Sequence, residues 1–533
     1  MTTVRELLLA RAAEDGTGLL AGDRRWTWAE YVAEATRRAM ALRPLLDPSR
    51  PAHVGVLLDN TPEMAFALAA AGLSGHVLVG LNTTRRGDAL AADVAKADCQ
   101  LVLTDAKHLP LLAGHELNLP VIDTGSEGWR SRLDAAAPVV PDSSSSWGAP
   151  APADLFMLIF TSGTSGTPKA VRVTHEKVAG PGWFIADRFG LTADDVCYVS
   201  MPLFHSNSVM AGWGVALASG AAIALGERFS ASGFLDDVRG YGATYLNYVG
   251  KPLAYVLATP ERPDDADNPL RIAFGNEAGE RDIAAFGARF GCVVVDGFGS
   301  TENAVIVSRV PGTPPGALGM PLDDVRVLDP ATGNECPPAV FDEHGVVTNL
   351  EDATGELVNV QGSGQFAGYY NDEAATAERM RDGMYWSGDL AYRDRAGFAY
   401  FAGRTADWLR VDGENLAAAP VERILLRHPA VSEAAVYAVP DPSSGDQLVA
   451  ALVTTEPIEP AAWEAVLAQQ DDLSGKAWPR FVRILDELPR TVTNKVLKRR
   501  LAAAGTVPGG GVLWTREDRG TAYRVSGSAS EPG

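Results

Sequence analysis

The chain has 533 residues with 46% hydrophobic content, which predicts a globular protein too large for a single hydrophobic core. Its formal net charge of -21 at pH 7 argues against nucleic acid or an anionic membrane as a partner, because both are bound through basic surfaces. The four cysteines are far apart and form no CxxC pair, so neither a disulfide framework nor a zinc site is expected: Cys99, Cys197, Cys292 and Cys336.

The apolar runs near the N-terminus do not match a targeting or membrane-spanning segment. MTTVRELLLARAAEDG carries charges within its apolar part, unlike the core of a signal peptide. The run from Ala65 to Leu81 is broken by Ser74, Gly75 and His76, which predicts a buried helix followed by a strand. We therefore expect a protein of the reducing cytoplasm without an integral membrane segment.

Strand-like and helix-like stretches alternate in the first third of the chain. HVGVLLDN (53–60) is a predicted strand, and Thr61, Pro62 and Glu63 predict the start of a helix. HVLVGLN, RRGDALAADVAKAD and CQLVLTD then predict a strand, a helix and a strand. This alternation is typical of βαβ units around parallel sheets, with ligand-binding loops at the carboxyl ends of the strands. The predicted fold class is α/β.

Composition divides the rest of the chain. Residues 135–153 form a connector rich in Pro, Ser and Ala, and a second series of strands and helices runs from 155 to about 325. After Gly403, the stretches AVSEAAVYAVPD, QLVAALVTT, AWEAVLAQQ and PRFVRIL predict a small α+β domain. From about Gly505 the chain is rich in glycine and serine, which predicts a flexible tail. We expect an N-terminal domain of βαβ-type subdomains over 1–403 and a C-terminal domain over 408–533.

The stretch TSGTSGTPK joins the apolar strand LFMLIF (155–160) to a second strand, AVRVTH. Its glycines allow backbone N–H groups to converge on a phosphate, while its hydroxyls and lysine supply further donors. A Walker A loop differs, because it leads into a helix and has Ser or Thr after its lysine. A solvated flexible turn is the alternative interpretation. The candidate phosphate-binding residues are Thr161, Ser162, Gly163, Thr164, Ser165, Gly166, Thr167 and Lys169.

Four downstream segments carry further candidate functional side chains. Taken singly, each side chain has a structural alternative: a surface carboxylate, a turn residue, a salt bridge or a solvated helix face. The candidates are Thr301 and Glu302 in DGFGSTEN (296–303), Asp389 in YWSGDL (385–390), Arg404 in GRTADWLRVDGENL (403–416) and Lys495 in LPRTVTNKVLKRRL (488–501).

Together and in this order, the segments resemble the motif series of the adenylate-forming superfamily. That superfamily includes acyl-CoA synthetases, luciferases and the adenylation domains of peptide synthetases. The resemblance covers nearly the whole chain. MPLFHSNSVMAGW (201–213), FGSTEN, RTADWLRVDGEN and TNKVLKRRL are most similar to the fatty acid transport protein and very-long-chain acyl-CoA synthetase branch.

The resemblance implies a site for the phosphates of ATP. The loop from Thr161 to Lys169 matches the one that clasps the β- and γ-phosphates. Glu302 matches the acidic position associated with magnesium, with Thr161 as a further metal contact. Thr301 matches a residue near the α-phosphate.

The resemblance also implies contacts from the last third of the chain. Asp389 and Arg404 match contacts to the ribose and to a phosphate, and Lys495 matches a mobile-domain lysine that bridges the substrate carboxylate and the α-phosphate. The hinge of the mobile domain would lie at 404–407. Gly413 would give a pantetheine arm room to pass, although a simple turn is an equal alternative.

Three further segments imply the subsites for the adenine base and for the carboxylic acid substrate. His205 matches a histidine near the substrate carboxylate, although a lone histidine is more often structural. Phe298 and Gly299 stand where the superfamily places residues around the adenine and the acyl group, with phenylalanine replacing the usual tyrosine. The turn expected against adenine consists of Gly275, Asn276, Glu277 and Ala278.

The implied activity is an ATP- and magnesium-dependent ligase that forms an acyl adenylate and transfers the acyl group to the thiol of CoA. Small residues in SNSVMAGWGVALASG (206–220) permit a long acyl tunnel. Three alternatives stay open: transfer to a carrier protein, activation of nitrite to diazotise an aromatic amine, and a catalytically silent binding protein. Retention of every charged motif residue argues against the last.

Overall fold

The structure, a computed structural model, describes most of the chain. The described residues are 2–115, 117–136, 149–161, 168–322, 324–343, 347–404, 408–411, 414–441, 445–470, 473, 477–490, 496–505, 512–516 and 520–526. They belong to two compact units. The first unit consists of Met1–Ala304 and Ser363–Asp382, and the second of Val305–Gly362 and Gly383–Gly533.

The strands are numbered in chain order. They are β1 Thr17–Ala21, β2 Arg24–Thr27, β3 His53–Leu57, β4 Val77–Gly80, β5 Leu101–Thr104, β6 Val121–Asp123, β7 Leu155–Thr161, β8 Lys169–Thr174, β9 Val196–Val199, β10 Ala222–Leu225, β11 Tyr245–Val249, β12 Ile272–Asn276, β13 Val293–Gly297, β14 Val307–Ser308, β15 Met320–Pro321, β16 Val325–Leu328, β17 Gly355–Asn359, β18 Met380–Arg381, β19 Met384–Arg393, β20 Ala399–Arg404, β21 Trp408–Val411, β22 Glu414–Ala417, β23 Val431–Asp441, β24 Gly445–Thr454, β25 Phe481–Ile484, β26 Val512–Arg516 and β27 Tyr523–Val525.

The α-helices are numbered in the same way, and a π-helical segment, Val209–Trp213, separates α7 from α8. They are α1 Val4–Arg11, α2 Trp28–Leu42, α3 Pro62–Ser74, α4 Asp88–Lys96, α5 Glu127–Ala135, α6 His175–Phe189, α7 Ser206–Ser208, α8 Gly214–Ser219, α9 Phe234–Tyr241, α10 Pro252–Leu257, α11 Glu280–Phe290, α12 Leu350–Ala353, α13 Glu373–Arg379, α14 Ala418–Leu425, α15 Pro460–Leu467 and α16 Lys498–Ala503.

The first unit contains two sheets of similar design. One has the strand order β6-β5-β3-β4-β7-β8, and all its pairs are parallel except β7 with β8 at the edge. The other has the order β13-β12-β11-β9-β10-β1-β2, with β1 and β2 as its one antiparallel pair. In the second sheet, Val249, Asn276 and Gly297 are aligned at the carboxyl ends of β11, β12 and β13. The loops after these strands are therefore neighbours.

Helix α3 shows how the local sequence determines an element. Thr61 caps the helix by accepting a hydrogen bond from the N–H of Met64, and Pro62 occupies the first helical position. The helix ends at Gly75, whose φ of 74° is the left-handed conformation that glycine favours. Its apolar residues are buried, and β4 follows. The prediction of a buried helix followed by a strand is confirmed.

The small residues of 206–220 allow close helix packing. A Cβ built on Gly182 of α6 would lie 2.5 Å from the carbonyl oxygen of Gly214, the first residue of α8. A Cβ on Gly214 would in turn lie 2.9 Å from the carbonyl oxygen of Val209. Only glycine permits these backbones to approach so closely. The glycines at these positions serve helix packing.

The second unit is built mainly from antiparallel strands. Strands β16, β17, β19 and β20 form one antiparallel sheet, and β21 with β22 forms a two-stranded ladder. A further sheet has the order β23-β24-β25-β26-β27 and packs with α14 and α15 around the buried Trp463. Among the described strand pairs of this sheet, β24 with β25 is parallel and the others are antiparallel. The predicted α+β character of the C-terminal part is thus confirmed.

The predicted α/β fold class is confirmed by the two mostly parallel sheets and their helices. Among the described residues, no helix combines the length and apolarity that a membrane crossing requires. The predicted hinge residues 405–407 and most of the predicted connector, 137–148, lie outside the described residues. The domain boundaries at 403 and 408 therefore stay predictions.

Candidate active site

The predicted phosphate loop spans an antiparallel hairpin. Thr161 is the last residue of β7 and Lys169 the first of β8, and the two residues are paired in the ladder. The hydroxyl of Thr161 donates a long, 3.5 Å hydrogen bond to the carbonyl oxygen of Lys169. The predicted strands on both sides of this segment are therefore confirmed.

Lys169 is held at the base of this hairpin among aromatic and acidic groups. Its side chain is 9% exposed, and its Nζ lies 3.6 Å from Oε2 of Glu378. The same Nζ lies 5.1 Å from the centroid of the Tyr369 ring, within the range of a cation–π interaction. The cationic side chain of Lys169 therefore lies at the start of β8, directly after the predicted phosphate loop.

Tyr369 links this lysine to the predicted magnesium residue. Its hydroxyl donates a 2.8 Å hydrogen bond to Oε1 of Glu302. Burial alone raises the pKa of Glu302, but the bond from Tyr369, a backbone hydrogen bond and the charges of Lys177 and Arg379 outweigh it and lower that pKa. Burial also raises the pKa of Tyr369 above its ordinary value, so this hydroxyl stays a proton donor. Glu302 is therefore an ionised carboxylate.

This carboxylate fits a magnesium site of the kind found with nucleotides. Magnesium at such sites is held by one or two carboxylates together with the phosphates of the substrate. Within the described ranges, no group of three or more His, Cys, Asp or Glu side chains could hold a metal on its own. Glu302 would therefore hold the ion together with ATP phosphates, and the fit depends on that ligand.

The predicted adenine turn follows β12 and is rigidly supported. A Cβ on Gly275 would lie 2.2 Å from the carbonyl oxygen of Tyr248, so glycine is required there. Glu277 has a φ of 67°, an uncommon conformation for a residue with a side chain. A single Asp296 oxygen accepts hydrogen bonds from the N–H of Ala278 at 3.0 Å and from the hydroxyl of Tyr248 at 2.9 Å.

Asn276 joins this turn to the loop after the next strand. Its Nδ2 donates a 2.8 Å hydrogen bond to the carbonyl oxygen of Gly297, directly before Phe298 and Gly299. Gly299 is exposed, and a Cβ built on it would have nothing within 4 Å. Phe298 is partly buried. The structure thus brings the predicted residues of 275–278 and 298–299 together.

The segments of His205 and Thr301 also meet. Ser206, which follows His205, has its Oγ 2.9 Å from Oγ1 of Thr301. His205 precedes the short helix α7 and is partly buried, with its ring against that of Phe204. Asn303, two residues after Thr301, has a φ of 52°. The segment that carries His205 therefore contacts Thr301, the hydroxyl assigned to the α-phosphate.

Asp389 and Arg404 belong to the second unit. They face each other as a pair in the antiparallel ladder of β19 and β20. Asp389 is 7% exposed, and its N–H donates a 3.1 Å hydrogen bond to Oγ of Ser387. The two residues assigned to ribose and phosphate are thus neighbours in one sheet.

Several predicted site residues lie outside the described part of the chain, so their roles stay predictions. The residues in question are Ser162, Gly163, Thr164, Ser165, Gly166, Thr167, Gly413 and Lys495.

Two residues that act on the carboxylate of Glu302, Tyr369 and Lys177, were not identified from the sequence. Tyr369 follows Gly368 in AGYYND, a segment without a catalytic charge to draw attention to it. Lys177 lies in the first turn of α6, where a lysine would ordinarily be assigned to a solvated helix face. The only sequence signal at Tyr369 is a pair of tyrosines after a glycine. The sequence around Lys177 contains no comparable signal.

Comparison with known proteins places these features in context. The family model described as AMP-binding enzyme matches residues 9–370, and the model of its C-terminal domain matches residues 420–495. A solved structure of o-succinylbenzoate coenzyme A synthetase from Bacillus subtilis, in complex with ATP and magnesium ion, has a TM-score of 0.74. It is 27% identical and covers 93% of this chain and 98% of its own.

The curated relatives include ligases of similar length. Medium/long-chain-fatty-acid–CoA ligase FadD17 from Mycobacterium marinum is 54% identical over 97% of this chain and 99% of its own. Steroid-22-oyl-CoA synthetase from Rhodococcus jostii is 48% identical over 94% of this chain and 90% of its own. Human long-chain fatty acid transport protein 5 is a more distant relative, 30% identical over 90% of this chain and 74% of its own.

Proposed function

Because the chain belongs to the AMP-binding enzyme family, we propose that it activates a hydrophobic carboxylic acid as an acyl adenylate and transfers the acyl group to CoA. The observation that carries this proposal is the 54% identity, over nearly the full length of both chains, to a medium/long-chain-fatty-acid–CoA ligase. The protein is an ATP-dependent, AMP-forming acyl-CoA ligase. A medium- or long-chain fatty acid is the substrate that we propose first.

A steroid with a carboxylated side chain is the second candidate substrate. The 48% identity to steroid-22-oyl-CoA synthetase favours it specifically. Both candidates present a carboxylate at the end of an apolar body, so the same activation chemistry serves either. They differ in the width of the apolar part, which the acyl pocket must match.

The first half-reaction joins two anions. A carboxylate oxygen of the acid attacks the α-phosphorus of ATP, a new P–O bond forms, and pyrophosphate leaves. Lys169 supplies positive charge at the phosphate loop, and the hydroxyl of Thr301 serves the α-phosphate. Glu302 would hold magnesium, which when bound neutralises charge on the phosphates. The protein contributes position and electrostatics, with no covalent intermediate on a side chain.

The adenine turn of the first unit is built before the nucleotide binds. The hydrogen bonds of Asp296 fix the 275–278 turn before ATP arrives, which reduces the entropy lost on binding. We assign the ribose hydroxyls to Asp389 and a phosphate contact to Arg404. In the second half-reaction, the sulfur of CoA attacks the acyl carbon, AMP leaves, and the thiol proton passes to solvent.

We also propose a cytoplasmic location. The four cysteines are buried and unpaired, as expected in a reducing compartment. A carrier-protein thiol in place of CoA, and nitrite in place of the acid, are alternatives that the same adenylation residues would serve. No nucleic-acid partner is expected for a chain of net charge -21.

The test is pyrophosphate release by the purified protein with ATP and magnesium. The acids are octanoate, palmitate, a steroid with a carboxylated side chain and nitrite, each with and without CoA or a phosphopantetheine-bearing carrier protein. We expect turnover with an aliphatic or steroid acid and thioester formation only when CoA is present. Release driven by nitrite alone, or transfer only to the carrier protein, would contradict the proposal.

A further inference from the structure

The segment MPLFHSN, residues 201–207, carries His205 from the end of β9 into α7. Phe204 in this segment is 3% exposed. A Cβ built on Gly80, the last residue of β4, would lie 3.0 Å from Cβ of Phe204. Because β4 pairs with β7, which ends at Thr161, the segment contacts the sheet that leads into the predicted phosphate loop.

Asn60 holds the first half of this segment. It lies after β3 and is 5% exposed. Its Nδ2 donates a 2.8 Å hydrogen bond to the carbonyl oxygen of Met201, and its Oδ1 accepts a 2.8 Å hydrogen bond from the N–H of Leu203. Exchanging the amide oxygen and nitrogen would set two donors against each other and two acceptors against each other. The backbone of the segment is therefore bound in one orientation.

Asn207 holds the other end of the segment. Its Oδ1 accepts a 2.6 Å hydrogen bond from Nδ2 of Asn247, a residue of β11 that is 2% exposed. Its Nδ2 donates to the carbonyl oxygen of Tyr248 at 3.2 Å and, more weakly, to Oδ1 of Asn276 at 3.4 Å. Asn276 belongs to the adenine turn, so Asn207 connects the segment with that turn.

Polar side chains at these positions need an explanation other than folding stability. Burying an amide removes its hydration, whereas an apolar side chain of similar size fills the same space without that loss. A satisfied hydrogen-bond network instead specifies one arrangement of the groups that it joins. Here the joined segment contains His205 and Ser206, and Oγ of Ser206 lies 2.9 Å from Oγ1 of Thr301.

We propose that Asn60 and Asn207 are positioning residues that fix the segment of His205 between the sheet of the phosphate loop and the adenine turn. This inference rests on the proposed function, because it takes His205 as the residue beside the substrate carboxylate. Attack on the α-phosphorus requires the carboxylate oxygen in line with the leaving pyrophosphate. A small displacement of the segment therefore lowers the rate of the reaction more than the affinity for ATP.

The kinetic test uses Asn60→Leu and Asn207→Leu, which replace each amide with an apolar group of similar size. We expect kcat for pyrophosphate release to fall at least about tenfold in each variant. KM for ATP should stay within about twofold of the wild-type value. If Asn60→Leu does not fold, Asn60→Asp takes its place, since it keeps an acceptor for Leu203 and loses the donor to Met201.

Asn268 provides a matched control. Its Nδ2 donates hydrogen bonds to the carbonyl oxygens of Asp265 at 2.7 Å and Phe290 at 3.0 Å. Its Oδ1 accepts a 2.9 Å hydrogen bond from the N–H of Leu270. This amide thus also binds the backbone through both its ends, but it lies before β12 and the adenine turn lies after that strand. Asn268→Leu should lower the melting temperature and leave kcat unchanged.

The position of His205 can be followed without catalysis. Histidine labelled with ¹³C at Cε1 gives one nuclear magnetic resonance signal per residue, and the signal of His205 is identified by its absence in His205→Gln. This signal should shift or broaden in the Asn60 and Asn207 variants. It should stay at the wild-type position in Asn268→Leu.

With an active wild type, the inference requires both changes, and either change without the other would overturn it. A loss of kcat that follows the loss of melting temperature in all three amide variants, Asn268→Leu included, would assign the effect to folding and also overturn it. A wild type that releases no pyrophosphate with any acid would instead contradict the proposed function. The His205 signal would then still show whether the two amides position the histidine, so the two failures are distinguishable.

Discussion

Tyr369 and Glu302 form a partly buried hydrogen-bonded pair in which the phenol donates to the carboxylate at 2.8 Å. The pair links the segment after residue 363 to the loop that follows β13, so two distant parts of the sequence define one carboxylate. Lys169 lies over the ring of the same tyrosine. Tyr369 therefore connects the phosphate loop with the residue assigned to magnesium.

Replacing Tyr369 with phenylalanine should impair catalysis and shift its pH dependence. Hydrogen bonding by Tyr369 lowers the pKa of Glu302, so activity that needs the carboxylate is lost as the pH falls through that pKa. Without the donor the pKa rises, and the acidic limb of the pH profile should move to higher pH. We expect kcat/KM for pyrophosphate release to fall about tenfold.

The neighbouring tyrosine is a matched control for this experiment. The hydroxyl of Tyr370 donates a 2.9 Å hydrogen bond to Oδ2 of Asp98 rather than to Glu302. Tyr370→Phe should therefore leave the acidic limb in place. Identical profiles for Tyr369→Phe and the wild type would show that Glu302 does not control the rate.

Lys169→Met should reduce catalysis strongly while preserving the fold. The lysine supplies the cation at the start of β8, and loss of one charge stabiliser in a transition state commonly reduces kcat by about 10²–10³. The measurement is kcat/KM for ATP with the melting temperature as the folding readout. Lys107→Met is the control, since that side chain is 62% exposed and pairs with Asp59. Equal losses in both variants would contradict a specific role.

Gly275→Ala should damage the adenine turn. The added Cβ would lie 2.2 Å from the carbonyl oxygen of Tyr248 and 2.6 Å from its ring, so β11 and β12 must separate. Overpacking of this kind commonly costs about 1–3 kcal/mol. We expect a lower melting temperature and a higher KM for ATP. Gly299→Ala, with nothing within 4 Å of its Cβ, should keep the wild-type melting temperature.

His175 should make the protein sensitive to mild acid. Its pKa is about 4 in the folded chain and 6.5 without burial, so between these values the unfolded chain binds a proton that the folded chain does not. Stability therefore decreases as the pH falls from about 6.5 to 4. In His175→Leu, the difference in unfolding free energy between pH 7 and pH 5 should shrink by about 2 kcal/mol, measured by urea denaturation. An unchanged difference would contradict the burial of a neutral imidazole.

The sequence predicted the elements that depend on local chemistry and periodicity. Thr61 and Pro62 mark the start of α3, and the apolar run 155–160 marks β7, because capping and strand patterns are local signals. The order of motifs likewise assigned roles to Glu302 and Asp389, and those roles stay predictions. These local signals could not reveal which residues from distant parts of the chain surround a given carboxylate.

Lys177 and Tyr369 show this limit clearly. Lys177 is completely buried, and the charge of Glu302, more than 120 residues later, acts on its pKa. No periodic pattern in the sequence records such a relationship. The small residues of 206–220 were equally ambiguous, since glycine is suitable both for an open tunnel and for close helix packing. The close approach of Gly182 to the backbone of Gly214 shows that glycine serves helix packing at those positions.

Lys495→Ala should separate the two half-reactions. The resemblance assigns this lysine to the bridge between the substrate carboxylate and the α-phosphate, an interaction that only adenylation requires. Pyrophosphate release should therefore fall by about 10² or more, whereas thioester formation from a supplied acyl adenylate and CoA should stay near the wild-type rate. Lys498, which pairs with Glu422 at 2.8 Å, is a control lysine of the same basic stretch. Lys498→Ala should leave the ratio of the two rates unchanged, and equal loss of both rates in Lys495→Ala would contradict its assignment to adenylation.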